Sequence, residues 1–218
     1  MSYSKQSDPG TLVILDGLDG SGKSTLVQAL SVALGGSATT RTFAFPSKDD
    51  NEVGRLIRRV FADPTLVCEE AMLYLFVADA LVQQRRMRAY LDMGMIVLCD
   101  RHPVTSGPVY NVTRDRDLLT VGEITQIEQF IIPDAVFVVD VPVEVAEARI
   151  AARNGKTGEA RNLIYERELE VKRARYLKLV GMGEGLVEKL DGTRTTEDLV
   201  AELVPVIREI AARKLKTT

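Results

Sequence analysis

The 218-residue sequence predicts an α/β fold, a three-layer sandwich in which a five-stranded parallel sheet lies between flanking helices. Three observations lead there. Five short apolar runs each end on a turn residue or an acid, helical stretches separate them, and a glycine-rich turn joins the first run to the first helix. Short continuous apolar runs are the pattern of strands buried on both faces, and alternation with helices makes right-handed βαβ units.

The first run, Thr11 to Leu15 (TLVIL), is rich in β-branched residues and reads as a buried strand. After the turn, Leu26, Ala29, Leu30, Ala33 and Leu34 recur at helical spacing until Gly35 and Gly36 stop the helix. Four more strands read as Arg41 to Phe45, Met95 to Cys99, Ala135 to Val139 and Leu186 to Leu190. Helices are expected over Leu66 to Leu91, Val143 to Arg153, Leu163 to Val180 and Thr196 to Leu215, the last carrying Pro205, which would kink it or delay its start. Thr120 and Glu123 make a capping box for a short helix to Phe130. No linker or repeat divides the chain, so residues 1–10 read as a polar tail and 11–218 as one domain.

Composition narrows the function. With 45% apolar and 27% charged residues the chain is an ordinary globule. Its 28 Lys plus Arg against 31 Asp plus Glu, net charge -3, argue against a nucleic-acid polymer as partner. Cys68, Cys99 and the single His102 cannot build a structural zinc site, and one histidine leaves little room for a nucleophile-histidine pair. Residues 1–10 have no apolar run and no stretch of eighteen apolar residues occurs, so neither a leader nor a membrane span is expected. The chain reads as cytoplasmic, with reduced thiols and no membrane partner.

Gly17-Leu18-Asp19-Gly20-Ser21-Gly22-Lys23-Ser24 fits G-x-x-x-x-G-K-[ST] between strand and helix, which makes the sandwich a P-loop one. Its glycines let backbone N–H groups converge on phosphate oxygens, and the helix behind adds the positive end of its dipole. Lys23 reaches the β/γ phosphates, Ser24 offers a hydroxyl to Mg²⁺, and Thr25 extends the helix start. A nucleoside triphosphate and Mg²⁺ follow. A regulatory GTPase does not, since the sequence contains no Asn-Lys pair to begin Asn-Lys-x-Asp.

In a parallel sheet the carboxyl ends of the strands share one edge, where ligands bind. The third strand delivers Asp100 and Arg101 there, an acid suited to Mg²⁺ and a guanidinium suited to phosphate. His102 reads as a packing or orienting residue. Arg149 and Arg153, one helical turn apart, lead into Asn154-Gly155-Lys156-Thr157-Gly158 and then Arg161, a cationic lid over about residues 153–162. Closing such a flap neutralises two polyanions and excludes water.

With these pieces in place the chain resembles the thymidylate kinases, of the nucleoside monophosphate kinase family, from about Thr11 to the last helix. The resemblance is carried by the LDGLDGSGKST loop, Phe45-Pro46-Ser47-Lys48, Leu75-Phe76-Val77-Ala78-Asp79, Asp100-Arg101-His102, Ser106-Gly107-Pro108-Val109-Tyr110-Asn111, Pro133-Asp134, Arg173-x-x-Tyr176 and Asp191-Gly192-Thr193. It implies γ-phosphoryl transfer from ATP to a deoxynucleoside monophosphate, first of all dTMP. Asp19 would meet the sugar hydroxyl, Arg101 the acceptor phosphate, Phe76 the base and Tyr110 the 2′ carbon. Phe45, Lys48 and Asn111 belong to the same acceptor-binding motifs. Because loop position 20 is glycine, Arg149, Arg153 and Arg161 would stabilise the transferring group. A homodimer packed through the long helix 66–91 is likewise implied.

Three departures accompany the match. Ala80 stands where the family places a thymine-reading arginine, Lys48 replaces the arginine of a Phe-Pro-x-Arg motif, and the Asp100 to Ser106 segment is one residue longer. The departures fit either a thymidylate kinase with compensating contacts or a relative that phosphorylates another deoxynucleotide, such as a modified pyrimidine. Two rival activities stay open beside these: a deoxynucleoside kinase using Asp16 as base, and an ATP-binding sensor without transferase activity.

Overall fold

The computed structural model describes residues 9–47, 51–110, 131–157, 169–182 and 186–217. Five strands, β1 (Thr11–Gly17), β2 (Thr40–Ala44), β3 (Ile96–Asp100), β4 (Ala135–Asp140) and β5 (Val187–Asp191), form one sheet in the order β2-β3-β1-β4-β5. All four pairings are parallel. β1 lies in the middle, so the order reverses around it, and the crevice at its carboxyl end is the natural ligand site of such a sheet. The register sets Leu15 beside Asp100 of β3 and Gly17 beside Val139 of β4.

Every residue of β1 is buried, as its unbroken apolar run requires. Leu12 and Ile14 point into one core with Phe43, Val97, Cys99, Met87 and Leu91, under helix α3 (Glu69–Asp92). Val13 and Leu15 point the other way, into a core completed by Leu26 and Leu30 of α1 (Lys23–Ala33) and by Leu199, Leu203 and Ile207 of the last helix (Thr196–Thr217). Each such buried aliphatic side chain contributes about 1.5–3 kcal/mol relative to exposure. The two-period alternation of a single strand thus binds helices on both faces.

The remaining helices are α2 (Glu52–Ala62), α4 (Pro103–Tyr110), α5 (Val143–Thr157), α6 (Leu169–Met182) and α7, the last helix. A third core joins Leu18 of the loop to Val109 of α4, Ala146 of α5, and Leu169 and Tyr176 of α6.

Several boundaries differ from those the sequence predicts. β1 runs on to Gly17, whose φ of 143° ends the strand inside the loop motif. The long helix begins at Glu69 rather than Leu66, because Pro64–Leu66 forms a separate 3-10 turn capped by Asp63. α5 continues past Arg153 through Gly155 to Thr157, so the amino end of the expected lid is helical. Pro205 does not interrupt α7, where Leu203 and Ile207, 1% and 0% exposed, hold the helix on the sheet from either side. α2 and α4 were not anticipated. Asn51 caps α2 by accepting from the Gly54 N–H at 2.8 Å. The helix expected over 120–130 and the 163–168 part of the helix expected to Val180 lie outside the described residues.

Ala80 on α3 is fully buried in the first core, against the sheet. An arginine there would sit in apolar surroundings and not in the ligand crevice. Ala80→Arg should lower folding stability by more than about 4 kcal/mol. A urea unfolding curve indistinguishable from wild type would show instead that this position opens onto solvent or ligand.

Candidate active site

The loop between β1 and α1 folds around three glycines in the left-handed half of backbone space, Gly17 (φ 143°), Gly20 (φ 78°) and Gly22 (φ 95°). Gly20 also lies so close to α5 that a Cβ would collide with the Ala146 carbonyl. The Ser21 N–H donates to the Leu18 carbonyl at 3.2 Å and closes the turn. Gly22 is the N-cap of α1 and brings no side-chain acceptor, so the first-turn N–H groups face the crevice without a cap. The Ser21 hydroxyl is buried with no hydrogen-bond partner in the described structure. Uncapped N–H groups and an unpartnered hydroxyl in a glycine cradle suit a phosphate.

Lys23 is 5% exposed, its ammonium donating to the Leu18 carbonyl at 3.0 Å and lying 4.0 Å from Asp19 Oδ1. Burial and then the like charge of Arg101 push this ammonium down to about 8, against the opposing pull of Asp19, Asp100 and Asp16. Burial would raise the Asp19 carboxyl, but Arg101, Lys23 and Arg153 outweigh it and hold the group down at about 2. The site thus interleaves buried charges of both signs, each shifted by its neighbours.

Arg101 follows β3 with φ 70°, the one described non-glycine residue in the left-handed region. Its Nη1 donates to Asp16 Oδ1 (3.1 Å), the Gly17 carbonyl (2.9 Å) and the Tyr176 hydroxyl (3.0 Å), and its Nη2 to Asp19 Oδ1 (2.8 Å). Asp16 is 0% exposed and accepts further bonds from the Gly17 N–H, Thr105, Ser106 and Tyr176. A carboxylate so engaged has no oxygen left to take a proton from a substrate hydroxyl.

Ser24 and Asp100 line one cleft of about 190 Å³ with Gln28, Thr42 and Ser47. A hydroxyl and a carboxylate are the hard oxygen donors that Mg²⁺ accepts, and Mg²⁺ retains several waters. The donor set fits that ion, although no cluster of three or more His, Cys, Asp or Glu occurs among the described residues.

The arginines expected in the lid separate. Arg149 is held on the carbonyls of Ser21 and Gly192, each at 3.1 Å, strapping the loop to the turn after β5. Arg153 is exposed one turn further along α5, close enough for its charge to act on Asp19. Phe45 is 7% exposed and packs edge-on against His102, with ring centroids 5.2 Å apart. His102 is fully buried and pushed down to about 4 by that burial, hence neutral, in line with a packing role. Phe76 is half-buried, its ring 6.2 Å from that of Phe61 on α2. Thr25 is exposed at the start of α1, and Leu18 is packed in the third core. Tyr110 ends α4. Lys48, Asn111 and Arg161 lie outside the described residues.

Sequence reasoning missed the convergence of Asp16, Thr105, Ser106 and Tyr176. Arg173-x-x-Tyr176 and Ser106 were visible as motif residues, but nothing in their spacing places them on Asp16. It also left Asp79 without partners, whereas this buried carboxylate accepts from the Ser47 N–H (2.7 Å), the Ser47 hydroxyl (2.6 Å) and Asn51 (2.9 Å).

A five-stranded parallel sheet whose central strand feeds a phosphate loop, faced by an arginine from the neighbouring strand, defines a P-loop phosphotransferase. The family model described as "Thymidylate kinase" matches residues 15–203. The chain belongs to the thymidylate kinase family. It is 28% identical to the thymidylate kinase of Thermosipho africanus over 200 residues, 90% of this chain and 97% of that one. It is 30% identical to that of Desulfotalea psychrophila over 152 residues, 69% of this chain and 73% of the relative. The solved thymidylate kinase of Candida albicans superposes with a TM-score of 0.70 at 20% identity, covering 92% of each chain, which bears on the fold.

The depressed Lys23 titration has a consequence for stability. The unfolded chain holds this proton up to about 10.5 and the folded chain only to about 8, so the charge destabilises the fold at pH 7 and the cost is relieved as pH rises between those values. Lys23→Met should raise the melting temperature by several degrees at pH 7, with the gain shrinking toward pH 10, while abolishing phosphoryl transfer. A lowered melting temperature at pH 7 would contradict this electrostatic account.

Proposed function

We propose that this protein transfers the γ-phosphoryl group of ATP to dTMP, giving dTDP and ADP. The observation that carries the reading is the facing pair of anion sites at adjacent strand ends. The phosphate loop leaves β1 where Arg101 leaves β3, with Leu15 and Asp100 side by side in the register. Two nucleotides laid end to end across that junction have their reacting phosphates together, and catalysis is then positioning plus charge stabilisation.

In this reading the loop from Gly17 to Thr25 cradles the donor phosphates and Lys23 takes the β/γ oxygens. Arg101 receives the acceptor phosphate, exchanging its Asp19 contact for it, and Asp19 turns to the sugar hydroxyl. Phe76 lies on the base, Tyr110 at the 2′ position, and Phe45 backs the acceptor pocket from the core, with Lys48 and Asn111 nearby in sequence. Arg153 and Arg161 bring charge to the transferring group, while Arg149 keeps the loop in shape. Ser24 and Asp100 would hold Mg²⁺, which supplies charge neutralisation at the phosphate oxygens. No described helix is long and apolar enough to cross a membrane. Tyr74 and Val82, 68% and 48% exposed on α3, support a homodimer packed through that helix.

The saturated Asp16 disfavours a deoxynucleoside kinase, whose neutral hydroxyl acceptor needs a free base. With Ala80 buried, thymine must be read by residues other than the one at that position.

ADP release measured with dTMP, dUMP, dCMP, dGMP, dAMP and thymidine tests the assignment. Turnover should require a monophosphate and be fastest with dTMP, and Arg101→Ala should lower kcat about 100- to 1,000-fold. Turnover of thymidine but not dTMP, or ATP binding with no acceptor-dependent ADP release, would overturn it.

A further inference from the structure

Arg173 and Tyr176 are three residues apart on α6 and so share a face. Arg173 makes a two-pronged pair with Asp140, the last residue of β4, Nε to Oδ1 at 2.7 Å and Nη2 to Oδ2 at 3.1 Å. That pair fixes the rotation and height of α6 over the strand ends. One turn on, Tyr176 is 2% exposed, with its hydroxyl 2.6 Å from Asp16 Oδ1 and 3.0 Å from Arg101 Nη1. A phenol has one proton. It goes to the carboxylate, and a lone pair of the same oxygen accepts from the guanidinium. The hydroxyl thus bridges two opposite charges in a place nearly closed to water, where such contacts count most.

We propose that Tyr176 is a positioning residue for Arg101. Together with Asp16, its hydroxyl fixes the guanidinium in the orientation that receives the acceptor phosphate. This rests on the phosphate-acceptor role given to Arg101 in the proposed function. The left-handed backbone at Arg101 is not held by its own preference, so the direction of the side chain depends on what its nitrogens bind. Without the hydroxyl, Nη1 keeps Asp16 and the Gly17 carbonyl and is drawn toward them. The guanidinium edge then shifts relative to the acceptor phosphate. On the donor side the Lys23 ammonium is held by a different partner, the Leu18 carbonyl at 3.0 Å.

Tyr176→Phe keeps the ring and removes one oxygen. It should lower kcat with dTMP about 10- to 100-fold and leave the KM for ATP unchanged. In an Arg101→Lys background the same change should cost less than about twofold, because the coupled partner is gone. In ¹⁵N-labelled protein without nucleotide, the Arg101 Nε–H resonance should move in Tyr176→Phe and stay in place in Tyr74→Phe, which alters an exposed ring. Arg173→Lys, a second variant that loosens α6 from β4, should reduce kcat about threefold with the ATP KM again unchanged. Equal losses for Tyr176→Phe in both backgrounds, wild-type kcat, or an unmoved Arg101 resonance would overturn the proposal, as would a loss confined to the ATP KM in either variant. If the wild-type enzyme fails to phosphorylate dTMP, the functional reading falls, and the resonance alone still decides the role of Tyr176.

Discussion

The contact on which the rest of the site depends is the buried ion pair between Asp16 and Arg101. Asp16 is 0% exposed at the end of a strand that is itself wholly buried, and an unpaired carboxylate there would cost several kcal/mol. The chain answers with donors from four places: the Gly17 N–H in the loop, Arg101 beyond β3, Thr105 and Ser106 on α4, and Tyr176 on α6. One carboxylate thus ties the loop, the third strand and two helices together. The left-handed backbone of Arg101, costing about 1–3 kcal/mol, persists because its guanidinium is over-determined by these partners.

Around that pair the molecule gathers further buried charges of both signs. Lys23 is buried with an ammonium that the surroundings disfavour, Arg101 lies beside it, and Arg153 acts on Asp19 from α5. Such an arrangement sacrifices stability for an anion that arrives later. Asp19 is the balancing charge, paired to Arg101 at 2.8 Å and standing 4.0 Å from Lys23. In the proposed reading a bound phosphate takes over that balancing role and releases Asp19 for the sugar hydroxyl. Binding of acceptor and rearrangement of the loop carboxylate are then one event.

Much of this was legible in the sequence, for identifiable reasons. All five strands were readable because buried parallel strands are continuous apolar runs, and the loop was readable because a glycine-rich turn between strand and helix has few other uses. Arg101 was visible through its place just past a strand. α4 was not, because Pro103–Tyr110 carries two prolines and a glycine, nor was α2, although Val53, Ile57 and Val60 recur at helical spacing between its arginines. The core placement of Ala80 was not legible, because a one-dimensional motif does not say which face of α3 meets the sheet. Arg149 and Arg153 were grouped by their spacing, yet one is spent on loop carbonyls while the other stays exposed. Asp16 and Tyr176, 160 residues apart, meet through tertiary structure alone, which no local pattern encodes.

The most direct test is a crystal structure with dTMP and a non-hydrolysable ATP analogue bound together. The guanidinium of Arg101 should lie within hydrogen-bond distance of a dTMP phosphate oxygen, with its Asp16 and Tyr176 contacts kept and its Asp19 contact broken. An Arg101 still bonded to Asp19, with the dTMP phosphate held by other residues, would contradict the account.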